Sequence, residues 1–125
     1  MKVKTWLLLG GLVFAVFGIA MVAVPNWMGT TFGMDLNESG VLLTRLFGAA
    51  FIFASIASYR AASSAPTEPA VRGVVLASLV GNLVGFAFAL MGTLAGTMNG
   101  MGWLVTALYG VFGLIFVYFF FAKPS

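Results

Sequence analysis

Four long runs of apolar residues, separated by short polar segments, dominate the pattern of this chain. The runs cover residues 5–24, 41–59, 74–95 and 101–122. Each is close to the roughly 20 residues that a helix needs to cross a hydrocarbon core of about 30 Å. None alternates apolar and polar residues as the strands of a membrane barrel do. Because lipid offers the backbone no hydrogen bonds, each run is predicted to be a helix.

The predicted fold is therefore all-α: an integral membrane four-helix antiparallel transmembrane bundle, formed by a single domain over residues 1–125. Pro25 is expected to end the first helix, because proline lacks the backbone N–H that a helix interior uses. Asp35 is expected to cap a second helix that begins at Leu36, with Glu38 three residues on as in a capping box.

The composition of the chain excludes several classes of function. Hydrophobic residues make up 62% of the chain and charged residues 7%, and the chain contains no cysteine and no histidine. The absence of these two residue types removes thiolate ligands, the commonest general base and the commonest metal ligand. We therefore expect no cofactor, no metal site and no enzymatic activity. The net charge of +3 comes from cations near the ends of the apolar runs, so we expect no nucleic-acid partner.

The distribution of positive charge predicts the orientation in the membrane. If the chain crosses four times, one side carries Lys2, Lys4, Arg60, Arg72 and Lys123. Positive side chains concentrate on the cytoplasmic side of bacterial-type membrane proteins. The expected location is the bacterial inner (plasma) membrane, with multiple crossings and with both termini cytoplasmic. The first apolar run is longer than the usual 7–15 residues of a signal-peptide core, so we interpret it as the first helix.

Small residues recur at every fourth position in two of the runs. The series are Gly73, Ala77, Gly81, Gly85 and Ala89 in the third run, and Ala50, Ala54 and Ser58 in the second. Residues four apart lie on one face of a helix. Small side chains there let two backbones approach closely, which favours helix association in lipid. We predict that both series are packing faces, within the bundle or between subunits. The alternative is that they form a sliding surface or line a pore.

Two polar residues within the runs are candidates for a site. Arg45 is the one charged residue inside an apolar run. It either forms a structural ion pair with Glu38 and Asp35, or it binds an anionic ligand or headgroup. Asn82 lies about 13 Å into its helix, near the midplane. We expect it to form an interhelical hydrogen bond or, in the alternative, a polar contact to a substrate.

The first half of the chain resembles small bacterial four-helix membrane proteins of unknown function, of the DUF4345 kind. The resemblance rests on a helix that ends at Pro25, on the segment Phe32-Gly33-Met34-Asp35-Leu36, and on Arg45-Leu46-Phe47-Gly48-Ala49-Ala50-Phe51. It implies the four-helix fold and no particular activity, and it makes Arg45 the residue to test.

These observations lead to two hypotheses. The first is a small non-enzymatic scaffold or accessory subunit that packs against itself or a larger membrane complex, surrounded by membrane lipids. The second is a membrane binding or transport protein that recognises an anionic or lipid-like ligand near Arg45, with Glu38, Asp35 and Asn82 nearby as the other residues of the site. The first predicts a closed interior, and the second predicts a cavity among the helices with Arg45 in its wall.

Overall fold

The structure, a computed structural model, describes residues 1–124 and contains five helices within them. The helices are α1 (Val3–Ala23), α2 (Pro25–Thr31), α3 (Glu38–Ala62), α4 (Pro69–Leu94) and α5 (Gly102–Phe121). Helices α1, α3, α4 and α5 are long and apolar enough to cross a membrane. The predicted all-helical bundle with four membrane-length helices is therefore confirmed. The short helix α2 was not predicted.

The polar ends of α3 and α4 reach beyond the apolar runs. Asn37 caps α3, and its side chain accepts a hydrogen bond of 2.8 Å from the backbone N–H of Gly40. This is the usual bond of a residue at the N-cap. The expectation that Asp35 caps this helix is wrong, because the helix begins two residues later than expected. Pro69 begins α4, a position where the missing N–H of proline costs no helical hydrogen bond.

Helices α1 and α3 form one antiparallel pair. Their backbones meet most closely at two glycines: a Cβ added to Gly18 would lie 2.9 Å from the carbonyl oxygen of Gly48, and a Cβ added to Gly48 would lie 2.8 Å from that of Gly18. Two turns away, Ser55 Oγ donates a hydrogen bond of 2.8 Å to the carbonyl of Gly11. Small residues hold this pair together at the backbone, as is common between membrane helices.

Helices α4 and α5 form the second antiparallel pair. Gly85 lies against the ring of Tyr109, and a Cβ added to Gly113 would lie 3.1 Å from Leu83 Cδ2. The hydroxyl groups of Thr93 and Thr106 lie 3.3 Å apart across the pair. Contacts between the two pairs are sparse, so the molecule consists of two tight pairs that are loosely joined.

The two pairs meet at the end of the bundle that holds the chain termini and the α3–α4 loop, here called the terminal end. Apolar side chains from all four long helices form a cluster there: Val3, Leu7, Ala61, Ala62, Val71, Val75, Leu79, Phe116 and Phe119. Arg72 donates hydrogen bonds to the carbonyls of Phe119 (2.9 Å) and Phe120 (2.6 Å). These bonds join α4 to the last turn of α5, whose carbonyls have no partners within their own helix.

The opposite end, here called the capped end, is closed by α2 and the α4–α5 loop. The backbone N–H of Asn99 donates to the carbonyl of Phe32 at 2.9 Å, and Asn99 Nδ2 donates to the carbonyl of Thr31 at 3.1 Å. Gly33 packs against Asn99 with a φ of +76°, a backbone conformation that favours glycine. Asn99 therefore joins the loop of one helix pair to the loop of the other.

Candidate functional site

A cavity of about 770 Å³ lies between the two helix pairs. Its volume falls within the roughly 300–1,000 Å³ that is usual for small-molecule sites. Side chains from all five helices line it. Phe116 of the buried cluster limits the cavity toward the terminal end, and Met28 and Phe32 limit it toward the capped end. The cavity thus occupies the middle of the bundle, where the two pairs do not touch.

Aromatic rings and thioethers form a large part of the cavity wall. Phe14 of α1 and Phe51 of α3 meet edge to face with ring centroids 5.0 Å apart, and Phe47 lies 4.7 Å from Phe51. Flexible methionine side chains, which adapt to the shape of a ligand, line the same space. Within residues 1–124, no charged side chain lines it. This wall suits an apolar, uncharged molecule.

The cavity opens sideways between α3 and α4. On these helices the lining residues include well-exposed side chains: Phe47 is 50% exposed, Val84 52% and Phe88 68%. Every lining residue of α1 and α5 is buried or half-buried, Phe14 and Phe112 among them. The gap between α1 and α5 is therefore the closed side, and the gap between α3 and α4 faces the surroundings of the bundle.

Two buried polar side chains contribute unpaired atoms to the wall. Ser58 is 4% exposed and Asn82 is 8% exposed. Asn82 Nδ2 donates to the carbonyl of Ser78 at 2.7 Å, which directs Asn82 Oδ1 away from that carbonyl. Among the described residues, neither Asn82 Oδ1 nor Ser58 Oγ has a hydrogen-bond partner. Neither atom is completely enclosed by protein, so both reach the cavity.

Three contacts link Ser58 to Asn82 across the bundle. A Cβ added to Gly11 would lie 3.5 Å from Ser58 Cβ, and one added to the preceding residue, Gly10, would lie 3.5 Å from the ring of Phe112. A Cβ added to the residue after Phe112 would lie 3.6 Å from Asn82 Cβ. The α3 wall and the α4 wall therefore present their unpaired atoms at neighbouring levels of the cavity.

Seven of the eight small residues predicted to form packing faces line this cavity, and Gly73 does not. Its wall includes Ala50, Ala54, Ser58, Ala77, Gly81, Gly85 and Ala89. A Cβ added to Gly73 or Gly81 would meet no atom within 4 Å, whereas Gly85 lies against a ring of α5. A close backbone contact between α1 and α3 uses Gly18 and Gly48, which sequence reasoning missed. The seven-residue spacings of Gly11 from Gly18 and of Gly48 from Ser55 were the available signal.

Arg45 lies outside the cavity wall. Its Nε donates to the carbonyl of Val22 at 3.3 Å, in the last turn of α1. No ion pair joins Arg45 to Glu38 or Asp35 in the part of the chain that the structure describes. Asn82, which bonds within its own helix, lines the cavity without Arg45. The structure therefore does not gather the four predicted site residues into one group.

The fold and the site define a small all-helical protein in which four membrane-length helices surround an apolar cavity. The chain matches the family described as Domain of unknown function (DUF8292) over residues 1–122, and it belongs to that family. The expected class, a family of small proteins of unknown function, is thus confirmed, but DUF4345 is not the family that matches. No curated protein and no solved structure matches the chain.

Proposed function

We propose that the protein binds an apolar, membrane-soluble molecule in the cavity between its two helix pairs, without converting it chemically. The observation that supports this proposal is a cavity of ligand size, lined by aromatic and methionine side chains, with no charged residue in its wall among residues 1–124. The opening between α3 and α4 is on the side of the bundle, where a membrane would place lipid. A ligand dissolved in the bilayer reaches such an opening without crossing water.

Apolar burial by itself gives such a site little selectivity. Lipid tails are about as apolar as the cavity wall, so a ligand that moves from lipid to protein gains little from the hydrophobic effect. Selectivity must come from the shape of the cavity, from ring contacts and from the few polar atoms in the wall. The edge-to-face pair of Phe14 and Phe51 provides one such shaped surface.

A substitution that fills the cavity tests the proposal. Gly81 lines the cavity, and a Cβ there would meet no atom within 4 Å. We expect Gly81→Leu to leave the fold intact and to displace the ligand. Gly73 lies two turns away on the same helix, has equally open surroundings and does not line the cavity. Gly73→Leu is therefore the matched control.

The measurement is native mass spectrometry of each variant after extraction in mild detergent. Wild type and Gly73→Leu are expected to retain a small apolar molecule, and Gly81→Leu is expected to release it. Equal retention by both variants contradicts binding in this cavity. Identification of the retained molecule by its mass then gives the natural ligand.

A second candidate function is the scaffold or accessory subunit expected from the sequence. One observation favours it: Gly73 is exposed on α4 with nothing within 4 Å of an added Cβ, which leaves the backbone accessible to another helix. This role predicts that Gly73→Leu lowers the particle mass by loss of a second copy or of a larger complex. The binding role predicts an unchanged particle mass.

We also propose that the protein resides in a bacterial inner membrane with its terminal end in the cytoplasm. Five cations support this orientation because they lie at the terminal end or next to it: Lys2, Lys4, Arg60, Arg72 and Lys123. The capped end carries Asp35, Glu38 and Arg45. This asymmetry follows the positive-inside rule.

A further inference from the structure

The unpaired atoms of the two buried polar side chains in the cavity wall, Ser58 and Asn82, indicate what kind of group a ligand presents to them. Ser58 Oγ can donate one hydrogen bond and accept others, whereas Asn82 Oδ1 only accepts. Leaving a polar atom without a hydrogen-bond partner in an apolar enclosure costs free energy. Both atoms reach the cavity at neighbouring levels of the bundle, so they offer a ligand two polar partners in one region of an otherwise apolar wall.

The charge of the wall limits the charge of that group. A carboxylate, phosphate or ammonium group in this cavity would have no opposite charge near it, which makes its burial costly. The two nearby arginines are engaged elsewhere: Arg45 bonds to the carbonyl of Val22 and Arg72 to carbonyls of α5. Neither lines the cavity. The polar group of the ligand is therefore neutral.

The rest of the cavity suits a long apolar chain. The α3 wall extends from Ser58 to Thr44, a distance of about 21 Å along the helix at 1.5 Å per residue. Thr44 offers no free donor, since its hydroxyl donates to the carbonyl of Gly40 at 2.8 Å. Toward the capped end the lateral opening lies beside Phe47 and Phe88, where a chain can continue into lipid.

We infer that the ligand is an uncharged lipid with one long chain and a hydroxyl or carbonyl group at its polar end, and that this group binds between Ser58 and Asn82. The inference rests on the proposed function, because it requires the cavity to be a ligand site. A hydroxyl group donates to Asn82 Oδ1 and accepts from Ser58 Oγ. A carbonyl group accepts from Ser58 Oγ alone.

Competition among four probes of equal chain length tests this inference. The purified full chain in lipid nanodiscs is labelled with a diazirine-bearing alkane. The competitor is hexadecanol, 2-hexadecanone, hexadecane or hexadecanoate, and the measured quantity is the decrease in labelling of the cavity wall. Labelling of Leu114, which is 71% exposed and outside the cavity, corrects for contact with bulk lipid. We expect the alcohol and the ketone to compete about fivefold to tenfold better than the alkane and the carboxylate, the effect of one or two net hydrogen bonds.

Three variants test which residue makes each hydrogen bond to the polar group of the probe. Ser58→Ala is expected to remove the advantage of the ketone and reduce that of the alcohol. Asn82→Leu is expected to reduce the advantage of the alcohol and leave the ketone unchanged. Thr44→Val is the matched control: its hydroxyl lies in the cavity wall but is already bonded, so both advantages should persist.

The outcomes separate this inference from the proposed function. Equal competition by all four probes, or preference for the carboxylate, overturns the inference and leaves a ligand site in place. Failure of every probe to reduce labelling of the cavity wall overturns both. If the alcohol and the ketone still compete better than the alkane in both Ser58→Ala and Asn82→Leu, the polar group of the ligand does not bind between these two residues.

Discussion

At the scale of single residues, the glycines of this chain differ sharply in what surrounds them. Gly18 and Gly48 each place a hydrogen atom where any side chain would press on a backbone oxygen of the other helix. Gly73 and Gly81 have open space at the same position. The two groups look alike in sequence, since all four are glycines within apolar helices. Their different surroundings predict opposite effects of the same substitution.

Gly18→Ala is expected to lower the free energy of unfolding by about 1–3 kcal/mol, the usual cost of an overpacked contact. The added methyl group would lie 2.9 Å from the carbonyl oxygen of Gly48, which belongs to a helix backbone and cannot rotate away. Gly73→Ala, the control, is expected to be neutral or to stabilise by up to about 1 kcal/mol through helix propensity. Thermal unfolding in detergent, followed by circular dichroism, measures both. Equal melting temperatures for the two variants would show that the glycine contact does not matter.

At the scale of helices and loops, the apolar runs predicted the four long helices because lipid requires each crossing to satisfy its own backbone. The ends were predicted less well, since polar turns such as the one that begins at Glu38 carry no apolar signal. Arg45 and Arg72 were interpreted through charge alone. In the structure Arg45 and Arg72 each bond to carbonyls in the last turn of another helix, where a cation is favoured by the helix dipole. Such pairings depend on which helices are neighbours.

The cap over the cavity depends on one residue of the α4–α5 loop. Asn99 Nδ2 donates to the carbonyl of Thr31, and its Oδ1 accepts from the backbone N–H of Met101. Asn99→Ala removes both side-chain bonds, at a cost of about 0.5–1.5 kcal/mol each. We expect faster hydrogen exchange of the backbone amides of α2, measured by mass spectrometry. Thr97→Ala, an exposed change in the same loop, should leave exchange unchanged, and equal exchange in both variants would mean that Asn99 does not hold the cap.

At the scale of the whole molecule, the helix pairs are joined at both ends and separated in the middle. This arrangement could not be predicted from the small-residue series, because a stripe of small residues permits close contact but does not specify a partner. Helices α1 and α3 make their close contact at Gly18 and Gly48. The series on α3 and α4, including Ala54 and Ala77, instead line the cavity. Small side chains on both walls leave the space in which a ligand is proposed to bind.

The orientation of the molecule is open to a direct test, because the chain contains no cysteine and each introduced one is unique. Ser64 lies in the α3–α4 loop at the terminal end and Thr97 in the α4–α5 loop at the capped end, and both are exposed. With the cation-rich terminal end in the cytoplasm, a membrane-impermeant maleimide should label Thr97→Cys in intact spheroplasts of an expressing bacterium. It should label Ser64→Cys only after the membrane is permeabilised. The reverse pattern would invert the orientation, and labelling of both sites in intact spheroplasts would contradict four crossings, because α4 would then not separate the two loops.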